Sequence, residues 1–284
     1  MAIFTNQATL SYNGITVNSN VVTGEVTEAV RITKTALSDT YTPEGTVTYV
    51  VSLVNTGNGQ FNGLILTDDL GAYEFGATTL VPLDYVEGSV NYYVNGVLQN
   101  TPVVTSGTEL VISGINLPPA SNALIIYQAT ANGFASPAEG GTITNTATLS
   151  GDELASPVSD SETITADTLA QLRITKSLSP NVVTDNSPLT YTFVVENFSN
   201  TAVTAQDNAQ ITDAFDPILS NITVTLNGVT LTEGADYTYN ETTGVFATVP
   251  GRITVPAATV TQDAQTGEFI ITPGSVTLVV TGTV

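Results

Sequence analysis

Residues 1–26 read MAIFTNQATLSYNGITVNSNVVTGEV, and residues 142–150 read TITNTATLS. The two stretches share a phrase. Thr5-Asn6-Gln7-Ala8-Thr9-Leu10-Ser11 lines up with Thr144-Asn145-Thr146-Ala147-Thr148-Leu149-Ser150. In the interior the phrase closes a domain; at the start it stands before any domain has begun. Working outward, the rest of the chain also repeats. Val30-Arg31-Ile32-Thr33-Lys34 returns as Leu172-Arg173-Ile174-Thr175-Lys176, and TYVVSLVN (48–55) as TYTFVVEN (190–197). LILTDDL (64–70) returns within AQITDAF (209–215), and NALIIYQATA (122–131) as SVTLVVTGTV (275–284). The first copy then adds 142–166, whereas the second reaches Val284 without a counterpart. The expected organisation is an arm (1–26), a complete domain (27–168) and a second domain (169–284) short of its last hairpin. The arm of one subunit then supplies that hairpin to another. A disordered tail is the bland alternative, and the repeated phrase argues against it.

Thr and Val alternate through most of the chain, with Gly, Pro, Asn and Asp between runs, which is the pattern of many short strands. No segment carries a convincing helical period. Two copies of such a unit make the expected fold all-β: two tandem Ig-like β-sandwiches with an N-terminal donor-strand arm. The arm reads as strands over 3–12 and near 15–26, joined at Asn13-Gly14 by a type I′ turn. Alternation puts Phe4, Ala8 and Leu10 on one face of it. A sandwich without its closing hairpin exposes an apolar cleft and unpaired strand edges, which an added strand relieves. Self-completion is strained. The four residues from the arm to Val30 span about 14 Å against a sandwich roughly 35–40 Å long. Head-to-tail addition between copies is simpler, and such heterologous contacts give filaments unless a ring closes.

Composition narrows the function. The 284 residues hold 26 acidic and 5 basic side chains, a net charge of −21, which repels nucleic acid. Only 11% of residues are charged and 42% are hydrophobic, so the chain can bury a core rather than stay disordered. Cys, His and Trp are all missing, which removes thiol chemistry, the commonest general base and the commonest transition-metal ligand. No cofactor is expected. The apolar runs are too short to span a membrane, and the N-terminus lacks the basic and apolar regions of a secretory signal. The expectation is a chain made in the cytoplasm without a signal peptide. Its expected partner is itself, with no nucleic acid and no membrane.

Among the polar residues one constellation stands out. The only two lysines, Lys34 and Lys176, occupy the same position of the two repeats. Alternation places each on the face of its neighbouring isoleucine, Ile32 or Ile174. It also places Asn145 with Ala147 and Leu149, Asn6 with Phe4, Ala8 and Leu10, Asp68 with Leu66, and Asp213 with Ile211. Buried lysines are rare unless paired. Desolvation lowers a buried lysine's pKa, and the neutral amine can attack an Asn carboxamide. A neighbouring Asp kept protonated by its apolar setting can polarise the carbonyl and shuttle protons. Ammonia leaves and an isopeptide bond remains. The assignments are Lys34–Asn145 with Asp68 inside the first domain, and Lys176 with Asn6 of the next subunit, assisted by Asp213. The bland reading, left open, is a buried Lys–Asp ion pair with Asn satisfying nearby backbone. Such self-modification turns over once, so no enzyme in the usual sense is expected. Asp68-Asp69 and Asp213/Asp216 are weaker calcium candidates and read first as turn carboxylates. Arg31 and Arg173 point outward.

RITK, the YVVSLVN/YTFVVEN strand, the LTD/ITD step and TNTATL together resemble the conserved repeat of Gram-positive surface and appendage proteins known as domain of unknown function eleven. The Lys, Asn and Asp set resembles the self-formed crosslinks of Gram-positive pilins, with Lys on the first strand and Asn on the last. A leaderless chain with two such repeats is similar to the major proteins of clostridial spore appendages. These resemblances imply a structural fibre subunit displayed on a spore or cell surface as an appendage. The competing reading is an adhesin or ligand-binding module gripping a receptor with its loops; a hydrolase is disfavoured by the missing His and Cys.

Overall fold

The computed structural model describes residues 2–26 and 29–284; Met1, Thr27 and Glu28, where the expected boundary between arm and first domain falls, lie outside the described residues. The protein is all-β, and its one helical turn among the described residues is the 3-10 turn Ala205–Asp207. The cause is the period-two alternation. Thr46–Asn55, for example, buries Val47, Tyr49, Val51, Leu53 and Asn55 and turns the residues between them away from the core. The chain forms two compact units. One comprises the chain up to Asp39, Gly45–Ala131 and Ile143–Ile164; the other comprises Thr40–Glu44, Asn132–Thr142 and Thr165–Val284.

The arm contributes β1 (Ala2–Asn6), β2 (Thr9–Tyr12), β3 (Ile15–Asn18) and β4 (Val22–Val26). The first sandwich follows with β5 (Val30–Ala36), β6 (Thr46–Asn55), β7 (Phe61–Asp68), β8 (Leu110–Leu117), β9 (Ser121–Ala131), β10 (Thr142–Ser150) and β11 (Val158–Ala166). One of its sheets runs Val97–Leu98, Asn91–Val94, β9, β6, β5; the other includes, in order, Val103–Ser106, β8, β7, β10, β11. The second sandwich has β12 (Leu172–Ser179), β13 (Pro188–Asn197), β14 (Thr212–Ala214), β15 (Ser220–Leu226), β16 (Val245–Thr248) and β17 (Gly274–Thr283). Its sheets run Val229–Thr230, β15, β17, β13, β12 and Tyr237–Tyr239, β16, β14.

The second arrangement follows the strand order of the first, without the short strands Thr40–Tyr41 and Leu83–Tyr85, and departs from it most at one place. β7 is flanked by β8 on one side and β10 on the other. Its equivalent β14 is flanked by β16 on one side and, among the described residues, by no strand on the other. The stretches where the repeat match is weakest hold different additions, the hairpin Tyr73–Phe75/Thr78–Leu80 in the first sandwich and Thr259–Gln262/Phe269–Thr272 in the second.

The arm folds as a hairpin about Asn13-Gly14, whose φ values of 44° and 79° suit a type I′ turn. The two expected continuous strands are each interrupted, at Gln7–Ala8 and at Ser19–Val21. Ser19 is the reason. Its Oγ accepts from the Ala8 amide at 2.9 Å, and Gln7 Nε2 donates to the Ser19 carbonyl at 2.8 Å. Side chains thus replace ladder bonds and the register slips by one, as in a bulge: Asn6 faces Val22, yet Thr9 faces Asn18. Residues directly opposite share a face. Leu10 with Val17, Tyr12 with Ile15, and Val22 beside Phe4 therefore make one apolar side, and all six are exposed, Phe4 at 53% and Leu10 at 65%.

Candidate functional site

Lys34 sits in the middle of β5 and is 2% exposed. Its Nζ donates to Asp68 Oδ2 at the end of β7. The other carboxylate oxygen of Asp68 accepts from the Leu70 amide at 3.1 Å. Tyr127 on β9 donates its hydroxyl to Asp68 Oδ2 at 2.6 Å, and Asn145 on β10 donates Nδ2 to the Tyr127 hydroxyl at 3.2 Å. Four strands thus deliver one continuous chain, Lys34 to Asp68 to Tyr127 to Asn145. Asn145 Oδ1 and the Tyr49 hydroxyl are buried without a hydrogen-bond partner. The Tyr49 and Tyr127 rings stack at 5.5 Å, and Lys34 Nζ lies 4.9 Å and 5.8 Å from their centroids. Aromatic faces attract a cation, but here they also exclude water.

That exclusion sets the electrostatics. Burial holds the Lys34 ammonium below its ordinary pKa of 10.5, with the Asp68 carboxylate opposing the shift. Burial raises the Tyr127 and Tyr49 hydroxyls. Asp68 reinforces the rise at Tyr127, and Asn145 offsets part of it at both. Both phenols therefore stay protonated at neutral pH. A lysine whose folded pKa is depressed favours folding above its unfolded value and loses that contribution as pH falls through the folded one. In Asn145→Ala no amide can form at Lys34, so the lysine titrates whatever happens in the parent chain. Its urea stability, measured against Lys34→Met/Asn145→Ala, is expected to rise with pH up to 10.0, where tyrosines begin to ionise when unfolded. A flat difference would show that Lys34 holds its charge without strain.

Asp69 does local work. Its Oδ1 accepts from the Gly71 amide at 2.9 Å and the Thr146 amide at 2.8 Å, and its own amide donates to the Thr146 carbonyl at 3.0 Å. This clamp fixes β10 one residue from Asn145. Gly71, at φ +75°, has no room for a Cβ, which would lie 2.5 Å from Ile143 Cγ2.

The second lysine repeats the pair without the cover. Lys176 Nζ on β12 donates to Asp213 Oδ2 on β14, and Asp213 Oδ1 accepts from the Ala214 amide at 2.9 Å. Three rings surround the ammonium: Tyr191 at 4.6 Å, Phe193 at 5.5 Å and Phe215 at 5.6 Å. Yet the Lys176 side chain is 41% exposed. Leu172 on the same face of β12 is 48% exposed, whereas Val30, its equivalent on β5, is 3% exposed. In the first sandwich the inward residues of β10, namely Ile143, Asn145, Ala147 and Leu149, are all buried. Asn6, the residue matching Asn145, stands opposite Val22 in the arm's own ladder and is exposed. Outside these sites, Arg173 pairs with Glu196 at 2.6 Å on the surface. Among the described residues no group of His, Cys, Asp and Glu is arranged to hold a metal ion, and no helix is long and apolar enough to cross a membrane.

The tyrosines are the functional residues that sequence reasoning passed over. A signal existed at Tyr127: it occupies an inward position of a central strand, where a phenol usually finds a partner for its hydroxyl.

No protein-family model matches the chain, and no curated protein matches it. Among solved structures it is similar to the pilus backbone protein of Streptococcus pneumoniae, at 14% identity and TM-score 0.34, over 86% of this chain and 55% of that one. It is also similar to BcpA, the major pilin subunit of Bacillus cereus, at 11% identity and TM-score 0.35, over 96% and 73% of the two chains. A third is the collagen-binding subdomain of the Enterococcus faecalis surface protein ACE, at 6% identity and TM-score 0.30, over 49% and 99%. The chain spans about half the length of the streptococcal protein. At these scores the similarities carry no weight for function, which rests on the geometry of the two lysine sites.

Proposed function

We propose that the protein is a structural subunit that polymerises head to tail, the arm of one copy entering the open edge of another copy's second sandwich. Lysine–asparagine amide bonds then lock the product, Lys34 to Asn145 within a copy and Lys176 to Asn6 of the next. The observation that carries this reading is the open side of β14, beside a Lys–Asp pair, in a unit whose twin fills the same side with β10. In the twin, Ala147 lies opposite Asp68 and Leu149 opposite Leu66. The shared phrase sets Ala8 opposite Asp213 and Leu10 opposite Ile211, and gives Asn6 the place on the second sandwich that Asn145 holds on the first. Phe4, Ala8 and Leu10 take the places of Ile143, Ala147 and Leu149.

The arm needs no unpairing to enter, because it is already a hairpin, as β10 and β11 are. Burying Phe4 and Leu10 fully is worth about 1.5–3 kcal/mol each at roughly 25 cal/mol/Å². New ladder bonds along β14 add to that, against the cost of association. The incoming strands also cover Leu172, Ile174 and Lys176, drying the second site as the first is dried. The amine attacks in its neutral form. The product is a fibre displayed on a spore or cell surface, with no catalytic turnover.

Filaments grown from the purified chain are expected to give ladders on denaturing gels that survive boiling. Lys176→Ala filaments are expected to assemble and then fall apart to single chains in the same gel. An unchanged ladder would remove Lys176 from the bond.

A further inference from the structure

The two lysine sites are not chemically equal, and the difference is one hydroxyl. Strand register makes the comparison residue by residue. Lys34 lies opposite Val51 and Lys176 opposite Phe193. Tyr49 lies opposite Tyr127, and its counterpart Tyr191 lies opposite Val280. Val280 thus stands where the first site has Tyr127. Asp68 has a phenol on its Oδ2, 3.2 Å from the amide nitrogen of Asn145. Asp213 has the Lys176 ammonium and the Ala214 amide, and the side chain at the equivalent of Tyr127 is aliphatic.

From this we infer that Tyr127 is a proton relay to the leaving nitrogen of Asn145, and that the second site, lacking it, closes more slowly, so that the bond between copies lags behind the bond within each copy. The inference rests on the crosslinking reading above. In the resting pair Lys34 gives one proton to Asp68 and becomes a neutral amine. Its Nζ lone pair forms a bond to Asn145 Cγ, and the carbonyl electron pair moves to Oδ1. The Tyr127 hydroxyl then reverses both its hydrogen bonds. It gives its proton to Nδ2 and takes one from Asp68. The Cγ–Nδ2 bond breaks with its electron pair leaving on nitrogen, the Oδ1 pair restores the carbonyl, and ammonia departs. Asp68 finally takes the surplus proton from Nζ. One amide and one ammonia are formed, and no external acid, base or oxidant is consumed. Without a relay, the proton for the leaving nitrogen at the second site must come directly from Asp213 or through water.

Two consequences separate this from a purely packing role for Tyr127. Positioned acid–base catalysis is worth on the order of 100-fold or more, so Tyr127→Phe is expected to slow ammonia loss within the chain by about that factor. The ladder between copies should form at its usual rate. Val280→Tyr is expected to act in the opposite sense, speeding ladder growth while leaving the internal bond alone. The experiment follows full chain recovered unfolded from inclusion bodies, its starting mass checked for the full complement of amide nitrogen, after release from denaturant at neutral pH. Intact mass on trypsin-free samples reports the internal bond, and boiled gels report the bond between copies. Ammonia loss in wild type that precedes the ladder, slows in Tyr127→Phe and is followed by a faster ladder in Val280→Tyr supports the relay. Wild-type ammonia loss at an unaltered rate in Tyr127→Phe, or a Val280→Tyr variant that assembles but locks no faster, overturns the relay and leaves the crosslinks standing. No ammonia loss in wild type overturns the crosslinks and the relay together.

Discussion

A chain lacking residues 1–26 is expected to stay monomeric under conditions where the full chain, on the proposed reading, forms filaments. Removing the arm takes no ladder bond from either sandwich, since its strands pair only with one another among the described residues. Its apolar face buries nothing in the single copy, so losing it takes no core contact away. The expected loss is total as judged by electron microscopy and light scattering, with thermal stability unchanged. A synthetic peptide of residues 1–26 added to the shortened protein should bind the open edge of β14. Lys176 should then join it to the protein, with the mass of one ammonia lost. The same peptide with Asn6→Ala should bind and wash off in denaturant. Filaments grown from the shortened chain would sink the donor-strand account, because no other segment carries the phrase that β10 uses.

The second large effect is expected at Asp68→Ala. The substitution strips Lys34 of its ion-pair partner in a site where it is 2% exposed. Removing one member of a buried pair typically costs about 3–5 kcal/mol, because the remaining charge is left without compensation. Asp68→Ala also removes the acceptor of Tyr127 and the group that takes the lysine proton. The protein is expected to melt at a markedly lower temperature and to retain its full mass with no ammonia lost. Replacing both members, Lys34→Met with Asp68→Leu, should recover much of the stability while leaving the bond absent, since an apolar pair of similar volume is often as stable as an ionic one. Stability recovered in the double variant separates burial of charge from loss of the crosslink. Full ammonia loss in Asp68→Ala would free the reaction from any carboxylate.

The tandem architecture was legible because alternation is a local property. Thr46–Asn55 and Pro188–Asn197 each bury every second residue, and that pattern stands in the letters themselves. The same logic placed Lys34, Asp68 and Asn145 on inward faces of separate strands. Tyr127 was illegible as a chemical residue because an inward tyrosine in a run of Leu, Ile and Ala reads as core. Where its hydroxyl goes depends on which strands β9 lies beneath, and that is a tertiary fact. The break in the arm was hidden for another reason. Ser19 and Gln7 interrupt the ladder through side-chain bonds, whereas the Thr and Val around them favour uninterrupted strand. The exposure of Lys176, by contrast, follows from the missing hairpin. The feature that exposes it, the open side of β14, is the one to which the proposal assigns the arm.

Lys34 lies on the opening strand of its sandwich and Asn145 on the strand that closes it, and this has a mechanical corollary. With both bonds made, the shortest covalent route along a fibre enters at residue 6, runs to 34, crosses to 145, continues to 176 and passes to residue 6 of the neighbour. Residues 35–144, closed into a loop, and 177–284, joined to the route at one end, hang beside it spared from tension. A pulled filament therefore carries load through two short cables of backbone per subunit, and its globular bodies need not unravel for it to bear force. Extension beyond the slack of those cables would meet only bonds that break by chemistry.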